Sequence, residues 1–363
     1  MLASCGGDSK GKTDEPETPP VATSLTSGTW ITSTASTALN SQANIVQAVT
    51  NCKKAGINNI YVVVWGKGAT DYPSKITKDL FGYEIDDAFV GRDPLKEIIA
   101  EAHNQSLKVY AWFEYGFAAS CGQNGGKILQ TKPSWAAKDS QGNYLTKNGF
   151  VWMNPINSEV QDFMKSLVLE VVKNYDVDGV MGDDRLPAMP VEGGYDDYTI
   201  NLYKTEHNGN LPPSNVSDNA WMSWRAGKLT AFLADLYQSV KKVKSNVKVA
   251  SAPSIHPWGY QNYLQDWPTW LKNGYVDIVI PQIYRYDIDS YKSTLAQQIN
   301  YLEPKDRSKF FPGVLIKNGT YDVDETFLQK MIDENRRQGF KGESFWFYEG
   351  LAKHQAYFAA YGK

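Results

Sequence analysis

The stretch Val177-Asp178-Gly179-Val180-Met181-Gly182-Asp183-Asp184-Arg185-Leu186-Pro187 runs from an apolar segment straight into two adjacent acids and an arginine, then stops at a proline. A short apolar run ending in charge reads as a buried strand that delivers polar groups at its carboxyl end. A parallel α/β barrel presents its chemistry in this way, with the ends of its strands converging on one pit. The rest of the chain carries the matching alternation. Short β-rich runs at 28–33, 57–65, 107–116, 177–184, 247–254, 276–284, 310–319 and 342–350 are each followed by a helical pattern. The helical segments fall near 42–55, 94–105, 158–174, 218–245, 260–272, 290–302, 325–338 and 352–360. Ile45, Val46 and Val49 repeat at helical spacing, as do Ile98, Ile99 and Ala102. Asp93-Pro94 and Asn157 read as helix starts, and Gly56, Gly274 and Gly339 as helix stops.

Strand followed by helix, eight times over, predicts an α/β fold of the (β/α)₈ (TIM) barrel type. The barrel is expected as a single domain over 27–363, with long βα loops after strands two, three and four at 66–91, 117–154 and 186–216. Long loops of this kind are often functional, and here all three open on one face. An open doubly wound sheet would place a glycine-rich phosphate loop after the first strand. Thr32-Ser-Thr-Ala-Ser-Thr37 has no glycine, which favours the barrel.

A net charge of -3 supplies no basic field, so nucleic acid is not an expected partner. The 4 histidines, His103, His207, His256 and His354, lie in separate segments, and no Cys-x-x-Cys occurs among the 3 cysteines. A zinc site and a bound cofactor are therefore not expected, although carboxylates alone leave hard-metal binding open. Cys52 and Cys121 read as two buried thiols in preference to a bridge. The 11 Trp and 22 Tyr offer flat amphipathic faces on which sugar rings stack, though most will pack in a core whatever the function.

Residues 1–26 read as a tether. Met1-Leu-Ala-Ser-Cys5-Gly-Gly-Asp-Ser9 has the form of a lipoprotein cleavage box without the basic start and apolar run of a signal peptide, and Pro16, Pro19 and Pro20 follow among Ser, Thr, Asp and Glu. Acylation at Cys5 would hang the protein from a bacterial membrane at the outer membrane or cell surface.

The strand ends collect carboxylates, amides and aromatics, without a Gly-x-Ser-x-Gly elbow for acyl transfer. Cleavage of a glycosidic bond needs one carboxylic acid to protonate the leaving oxygen and one carboxylate as nucleophile or base. Glu114 and Asp184 lie on adjacent strands and are the expected pair. Trp112, Phe113 and Tyr115 around Glu114 would keep it protonated, and Arg185 would hold the second carboxylate ionised. Strand alternation points Asp183 and Asp184 to opposite sides, with Asp184 into the pit. Trp65, Lys67, Asp183, Arg185, His256, Gln282, Tyr284, Arg285, Trp346 and Glu349 complete the expected substrate-binding set. Three other readings stand beside this one: structural salt bridges at the same positions, glycan capture without cleavage on Trp65 or Trp346, and a Mg²⁺ or Ca²⁺ site of Asp183, Asp184 and Glu349.

Several segments in order resemble one family. They are Gly28-Thr-Trp-Ile-Thr-Ser33, Tyr61-Val-Val-Val-Trp65, Tyr72-Pro-Ser74, Asp93-Pro-Leu95, Val109-Tyr-Ala-Trp-Phe-Glu-Tyr-Gly116, Trp152-Met-Asn-Pro155, Tyr175-Asp-Val-Asp-Gly-Val180, Asn262-Tyr-Leu-Gln-Asp-Trp-Pro-Thr-Trp270, Gly274-Tyr-Val-Asp277 and Pro281-Gln-Ile-Tyr-Arg285. Together they are similar to the bacterial glycosyl-hydrolase-like-10 family and cover nearly everything after the tether. The resemblance implies a (β/α)₈ barrel, often on an exported lipoprotein, and cleavage of a glycan, in some relatives the peptidoglycan strand stripped of its peptides. It implies catalytic acids at the Trp-Phe-Glu and Asp-Asp positions, here Glu114 and Asp184, although other relatives are expected to carry asparagine where Glu114 stands. The opening box resembles surface lipoproteins of Bacteroides-type bacteria, for which dietary or host glycans are equally apt substrates.

Overall fold

The computed structural model describes residues 26–361. The expected acylation site Cys5 and the tether up to residue 25 lie outside the described residues.

Eight parallel strands form one sheet: β1 (Gly28–Ile31), β2 (Asn59–Val63), β3 (Lys108–Trp112), β4 (Gly179–Gly182), β5 (Lys248–Ser251), β6 (Ile278–Val279), β7 (Gly313–Leu315) and β8 (Ser344–Trp346). Neighbours in sequence are neighbours in space from β1 to β6, and β8 pairs with both β1 and β7. The remaining seam, β6 to β7, is closed by parallel bridges Val279 to Phe310 and Gln282 to Gly313. A closed ring of parallel strands leaves no edge to protect. The (β/α)₈ barrel expected from the alternation is the fold.

Each strand is followed by a helix: α1 (Gln42–Lys54), α2 (Pro94–Asn104), α3 (Ser158–Asn174), α4 (Asn219–Val243), α5 (Trp267–Lys272), α6 (Ile288–Ile299), α7 (Glu325–Arg337) and α8 (Tyr348–Lys353). All but the last open on a short polar side chain that accepts a backbone N–H of the first turn: Ser41, Asp93, Asn157, Asp218, Asp266, Asp287 and Asp324. Each cap is worth about 0.5–2 kcal/mol against alanine, so the helix starts are specified by local sequence.

The interior is filled by aromatics in layers. On β3, Tyr110 and Trp112 are two residues apart and so share a face, and Glu114 continues that phase beyond the strand. Trp30 and Tyr61 rings lie 4.9 Å apart, Tyr61 and Tyr110 5.5 Å, and above them Trp112 meets Trp346 edge-on at 5.8 Å. The floor of the pit is therefore solid aromatic core.

The sequence-based segments all overran their strands at the carboxyl end. Beyond the strands the backbone leaves the ladder, and the residues that follow, such as Phe113 after β3 and Asp183-Asp184-Arg185 after β4, belong to the turns that build the pit. The segment read as strand through Gly350 ends at Trp346, and Tyr348 and Glu349 open α8 instead. The helix expected over 260–272 is two, Trp258–Tyr263 and Trp267–Lys272, parted at Leu264, whose φ of 58° lies outside helical space. The three long loops carry structure of their own. The first holds a hairpin, Trp65–Gly66 with Ala69–Thr70; the second holds a three-stranded antiparallel sheet; the third holds the helix Asp197–Glu206.

Candidate active site

The turn after β4 builds the site. Arg185 and Leu186 fold back over the strand end so closely that a Cβ at Gly182 would lie 2.1 Å from the Leu186 carbonyl oxygen. Gly116, at φ +47°, lies against the same turn, where a Cβ would meet the Arg185 carbonyl oxygen at 2.2 Å. That carbonyl accepts the Phe117 N–H at 3.1 Å, locking the third loop-bearing strand end to the fourth. Two glycines thus allow the β3 and β4 ends to interlock.

Arg185 is the hub of what results. Its Nη1 lies 3.1 Å from Asp184 Oδ1, and its Nη2 lies 3.3 Å from Asp183 Oδ2 and 3.8 Å from Glu114 Oε1. Its Nε donates to the Glu114 carbonyl at 2.7 Å, and the guanidinium stacks on the Phe150 ring at 4.8 Å. Asp183 is buried, and three N–H groups converge on its two oxygens, the Trp112 indole at 3.0 Å, the Arg185 backbone at 2.9 Å and the guanidinium. Those three donors favour its ionised form. Burial pushes the Asp183 carboxyl well up, and Arg185 opposes the push. Burial alone would lower the Arg185 guanidinium, but the carboxylates of Asp183, Asp184 and Glu114 more than offset it and hold its proton on.

Glu114 and Asp184 sit in contrasting surroundings. The Glu114 side chain is 14% exposed and that of Asp184 33%. Burial raises the Glu114 carboxyl, Arg185 and Lys67 oppose this, and the Asp184 charge adds to it. Glu114 Oε2 is buried with no hydrogen-bonding partner. A buried carboxyl with one unpaired oxygen beside a more open carboxylate is the division of labour that separates an acid from a nucleophile or base.

A cavity of about 230 Å³ opens above this cluster, walled by Trp30, Trp112, Phe150, Tyr284 and Trp346, with Ala252 and Gln282 at one side. Of the expected set, Glu114, Asp183, Asp184, Arg185, Gln282, Tyr284 and Trp346 line it. Asp183 and Asp184 both do so, against the alternation expected of a strand, because β4 stops at Gly182 and both acids belong to the turn.

Five expected residues lie elsewhere. Trp65 is fully buried, its indole donating to the Gly116 carbonyl at 3.0 Å, so it packs the base of the second loop and offers no sugar platform. Lys67 pairs with Asp86 at 2.8 Å. His256 is held between the rings of Tyr260 and Tyr301, and burial lowers its imidazole. Arg285 turns back to the Thr294 hydroxyl at 2.9 Å. Glu349 accepts from the Ser36 hydroxyl in the loop after β1, which takes it away from the aspartates. Among the described residues no group of three or more His, Cys, Asp or Glu side chains is arranged to hold a metal, so the set Asp183, Asp184 and Glu349 does not form. Cys52 is buried and its thiol pushed up to about 12 by that burial, whereas Cys121 is exposed, contrary to expectation, and the two are not bridged.

Trp30, Trp112, Phe150 and Ala252 were not anticipated as walls. The two-residue spacing of Trp112 and Glu114 carried that signal for Trp112, and Trp30 occupies the equivalent phase on β1. Phe150 comes from a long loop without periodicity, where the sequence offers no comparable clue.

This arrangement, an Asp-Asp-Arg turn facing a Trp-Phe-Glu strand end on a (β/α)₈ barrel, can be set beside known proteins. The sequence model of the glycosyl hydrolase-like 10 family matches residues 26–331. The chain belongs to that family. Among curated relatives, glycosyl hydrolase DigH of Escherichia coli K12 is 27% identical over 345 residues, covering 81% of this chain and 72% of DigH. Glycosyl hydrolase YngK of Bacillus subtilis is 25% identical over 270 residues, covering 66% of this chain and 48% of YngK. Among solved structures, the PgaB (BpsB) glycoside hydrolase domain of Bordetella bronchiseptica superposes with a TM-score of 0.67 at 13% identity, covering 92% of this chain and 97% of that one. The catalytic domain of a Paenibacillus polymyxa β-amylase gives 0.62 at 12% identity, covering 94% and 100%. At such identities the structural likeness establishes the fold alone. Family membership and the curated relatives support a function of the glycoside hydrolase type.

Proposed function

We propose that the protein hydrolyses O-glycosidic bonds in a polysaccharide or a peptidoglycan glycan strand, with Glu114 as general acid and Asp184 as nucleophile or base. The observation that carries this reading is the shared guanidinium: Glu114 Oε1 and Asp184 Oδ1 both approach Arg185, at 3.8 and 3.1 Å, across the floor of one aromatic-walled cavity. Glycosidases set such a pair about 5–5.5 Å apart for retention and about 6.5–9.5 Å apart for inversion. Glu114, kept up by burial, gives its proton to the leaving oxygen as the C–O bond breaks. Asp184 then supplies an electron pair to the anomeric carbon or takes a proton from the attacking water. Arg185 and Asp183 hold the pair in place, and the indoles of Trp30, Trp112 and Trp346 give sugar rings a face to stack on.

We place this activity on an exported protein anchored through an acyl chain at Cys5, a reading that rests on the cleavage box alone.

The test is product release from a panel of glycans, denuded peptidoglycan strands beside mucin-type and plant polysaccharides. Cleavage of one of them supports the reading and names the substrate. Saturable binding to a glycan with no cleavage of any would favour a capture protein on the same barrel.

A further inference from the structure

The cavity over Glu114 and Asp184 encloses about 230 Å³, less than the roughly 300–1,000 Å³ of a site that surrounds a drug-sized ligand, so a glycan chain seated in it has to continue outside. One wall leads outward. Phe150 of that wall stands opposite Lys147 across the antiparallel hairpin of Thr146–Lys147 with Phe150–Trp152, and residues directly opposite in such a pair present their side chains on one face. The Lys147 ammonium lies over the Tyr263 ring, 4.9 Å from its centre, and the Tyr263 ring meets that of Trp258 at 5.6 Å. Trp258 is 47% exposed and lies in the loop after β5, at the same end of the barrel as the cavity.

A single exposed aromatic ring is ordinary on a protein surface. This one is held in place and stands among hydrogen-bonding groups. The segment Trp258–Tyr263 is tied to the third long loop by the Met189 N–H on the Tyr263 carbonyl at 3.0 Å and the Val191 N–H on the Asn262 carbonyl at 2.9 Å, and the Asn262 side chain donates to the Trp258 carbonyl at 3.0 Å. Around Tyr263, Lys147 pairs with Glu192 at 2.9 Å and Asn148 donates to the tyrosine hydroxyl at 2.8 Å. A flat apolar face with polar groups beside it suits a pyranose ring, whose C–H face stacks while its hydroxyls bond at the edge. We propose that Trp258, backed by Tyr263, is an outer sugar subsite: it stacks a ring of the same glycan chain whose linkage lies between Glu114 and Asp184, so the protein takes an oligomeric or polymeric chain in preference to a mono- or disaccharide. The subsite rests on the reading of the cavity as a glycan site.

Denuded peptidoglycan strands, mucin-type polysaccharides and plant polysaccharides are each separated into short and long fragments. Dissociation constants are measured by titration calorimetry for the full chain carrying Asp184→Asn, which stops turnover, alone and combined with Trp258→Leu or Trp258→Tyr. Leucine keeps apolar bulk against Tyr263 and removes the flat face, whereas tyrosine keeps one. Long fragments of the glycan that binds are expected to bind about two- to tenfold more weakly in the leucine variant, with short fragments unchanged and the tyrosine variant recovering part of the loss. Equal affinity for long fragments with and without the indole overturns the proposal. So does a loss equal for short and long fragments, the mark of a ring that only supports its loop, and so does binding of no glycan at all. Cleavage by the parent without any effect of Trp258 removes the subsite and leaves the hydrolase reading standing. A length-dependent loss in a protein whose parent cleaves nothing keeps the subsite and overturns the hydrolase reading instead.

Discussion

Arg185 and Asp184 meet at 3.1 Å between Nη1 and Oδ1, and the same guanidinium also touches Asp183 and Glu114. One cation therefore offsets three acids in a half-closed pit. Replacing it with methionine, which keeps the stem and removes the charge, leaves those acids unpaired. Arg185→Met is expected to lose about 3–5 kcal/mol of stability, the cost of breaking a buried pair from one side. Arg185→Lys recovers part of that, because one ammonium cannot reach all three carboxylates in the fixed fork of a guanidinium. Guanidinium chloride unfolding midpoints of the three proteins check this, and a methionine variant as stable as the parent would contradict it.

Trp112 donates its indole N–H to Asp183 at 3.0 Å. Trp112→Phe keeps most of the ring and deletes the donor, so the buried Asp183 carboxyl loses one of its three donors. The expected loss is about 1.5–3 kcal/mol, the range for hydrogen bonds to charged groups. Thermal unfolding of Trp112→Phe with Asp183→Asn as the second arm of a double-mutant cycle isolates this bond, and additive losses would mean that it contributes nothing.

Asp71, a buried carboxylate just past the hairpin of Trp65–Gly66 with Ala69–Thr70, gives stability a pH dependence. Its carboxyl ionises at 3.8 when free and at about 7 in the fold. Below the lower value both states carry the proton and nothing is lost. Between the two, the unfolded chain releases a proton that the fold retains, so stability falls as pH rises, by about 1.4 kcal/mol for each unit separating the two values. Asp71→Asn lacks this loss. Its stability relative to the parent should grow between about pH 4 and pH 7 and level off above. A difference that is flat with pH in paired urea melts would show that Asp71 is not held protonated.

Gly182 and Gly116 let the β3 and β4 ends interlock, and a methyl group at either would meet a carbonyl oxygen at 2.1 or 2.2 Å. Neither neighbour can move away cheaply, since both are backbone. Gly182→Ala and Gly116→Ala are expected to cost at least about 1–3 kcal/mol, the range for forced overpacking, and to disturb Arg185 with it. Melting temperatures within error of the parent would remove these glycines from the account.

The fold was legible because a barrel repeats. Eight apolar runs with capped helices between them specify one closed topology, and the caps at Asp93 and Asn157 stand where the sequence placed them. Glu114, Asp183, Asp184 and Arg185 were legible as strand ends, and they converge. What failed was assigning the neighbours. Trp65, Lys67, His256, Arg285 and Glu349 sit just past strand ends as well, but the chain there has already turned: Trp65, Lys67, Arg285 and Glu349 pair with the Gly116 carbonyl, Asp86, Thr294 and Ser36, and His256 is held between Tyr260 and Tyr301. Position along a strand tells which end of the barrel a residue occupies, and the turn beyond it decides which way the side chain points. Asp71 gave no signal of its burial in the sequence: it lies in a loop, eight residues past the end of β2, and only the folding back of the hairpin, which brings its N–H to the Val64 carbonyl, encloses it.

The measurement that bears most directly on the mechanism compares the parent with Glu114→Gln and Asp184→Asn on two substrates, a glycan that the parent cleaves and an aryl glycoside of the same sugar whose leaving group needs no proton. The glutamine variant should lose about 10²–10⁴ in rate on the glycan, the contribution of general acid catalysis, while keeping much of its rate on the aryl glycoside. The asparagine variant should fail on both. A Glu114→Gln protein that cleaves the glycan at the parent's rate would contradict the account at its centre.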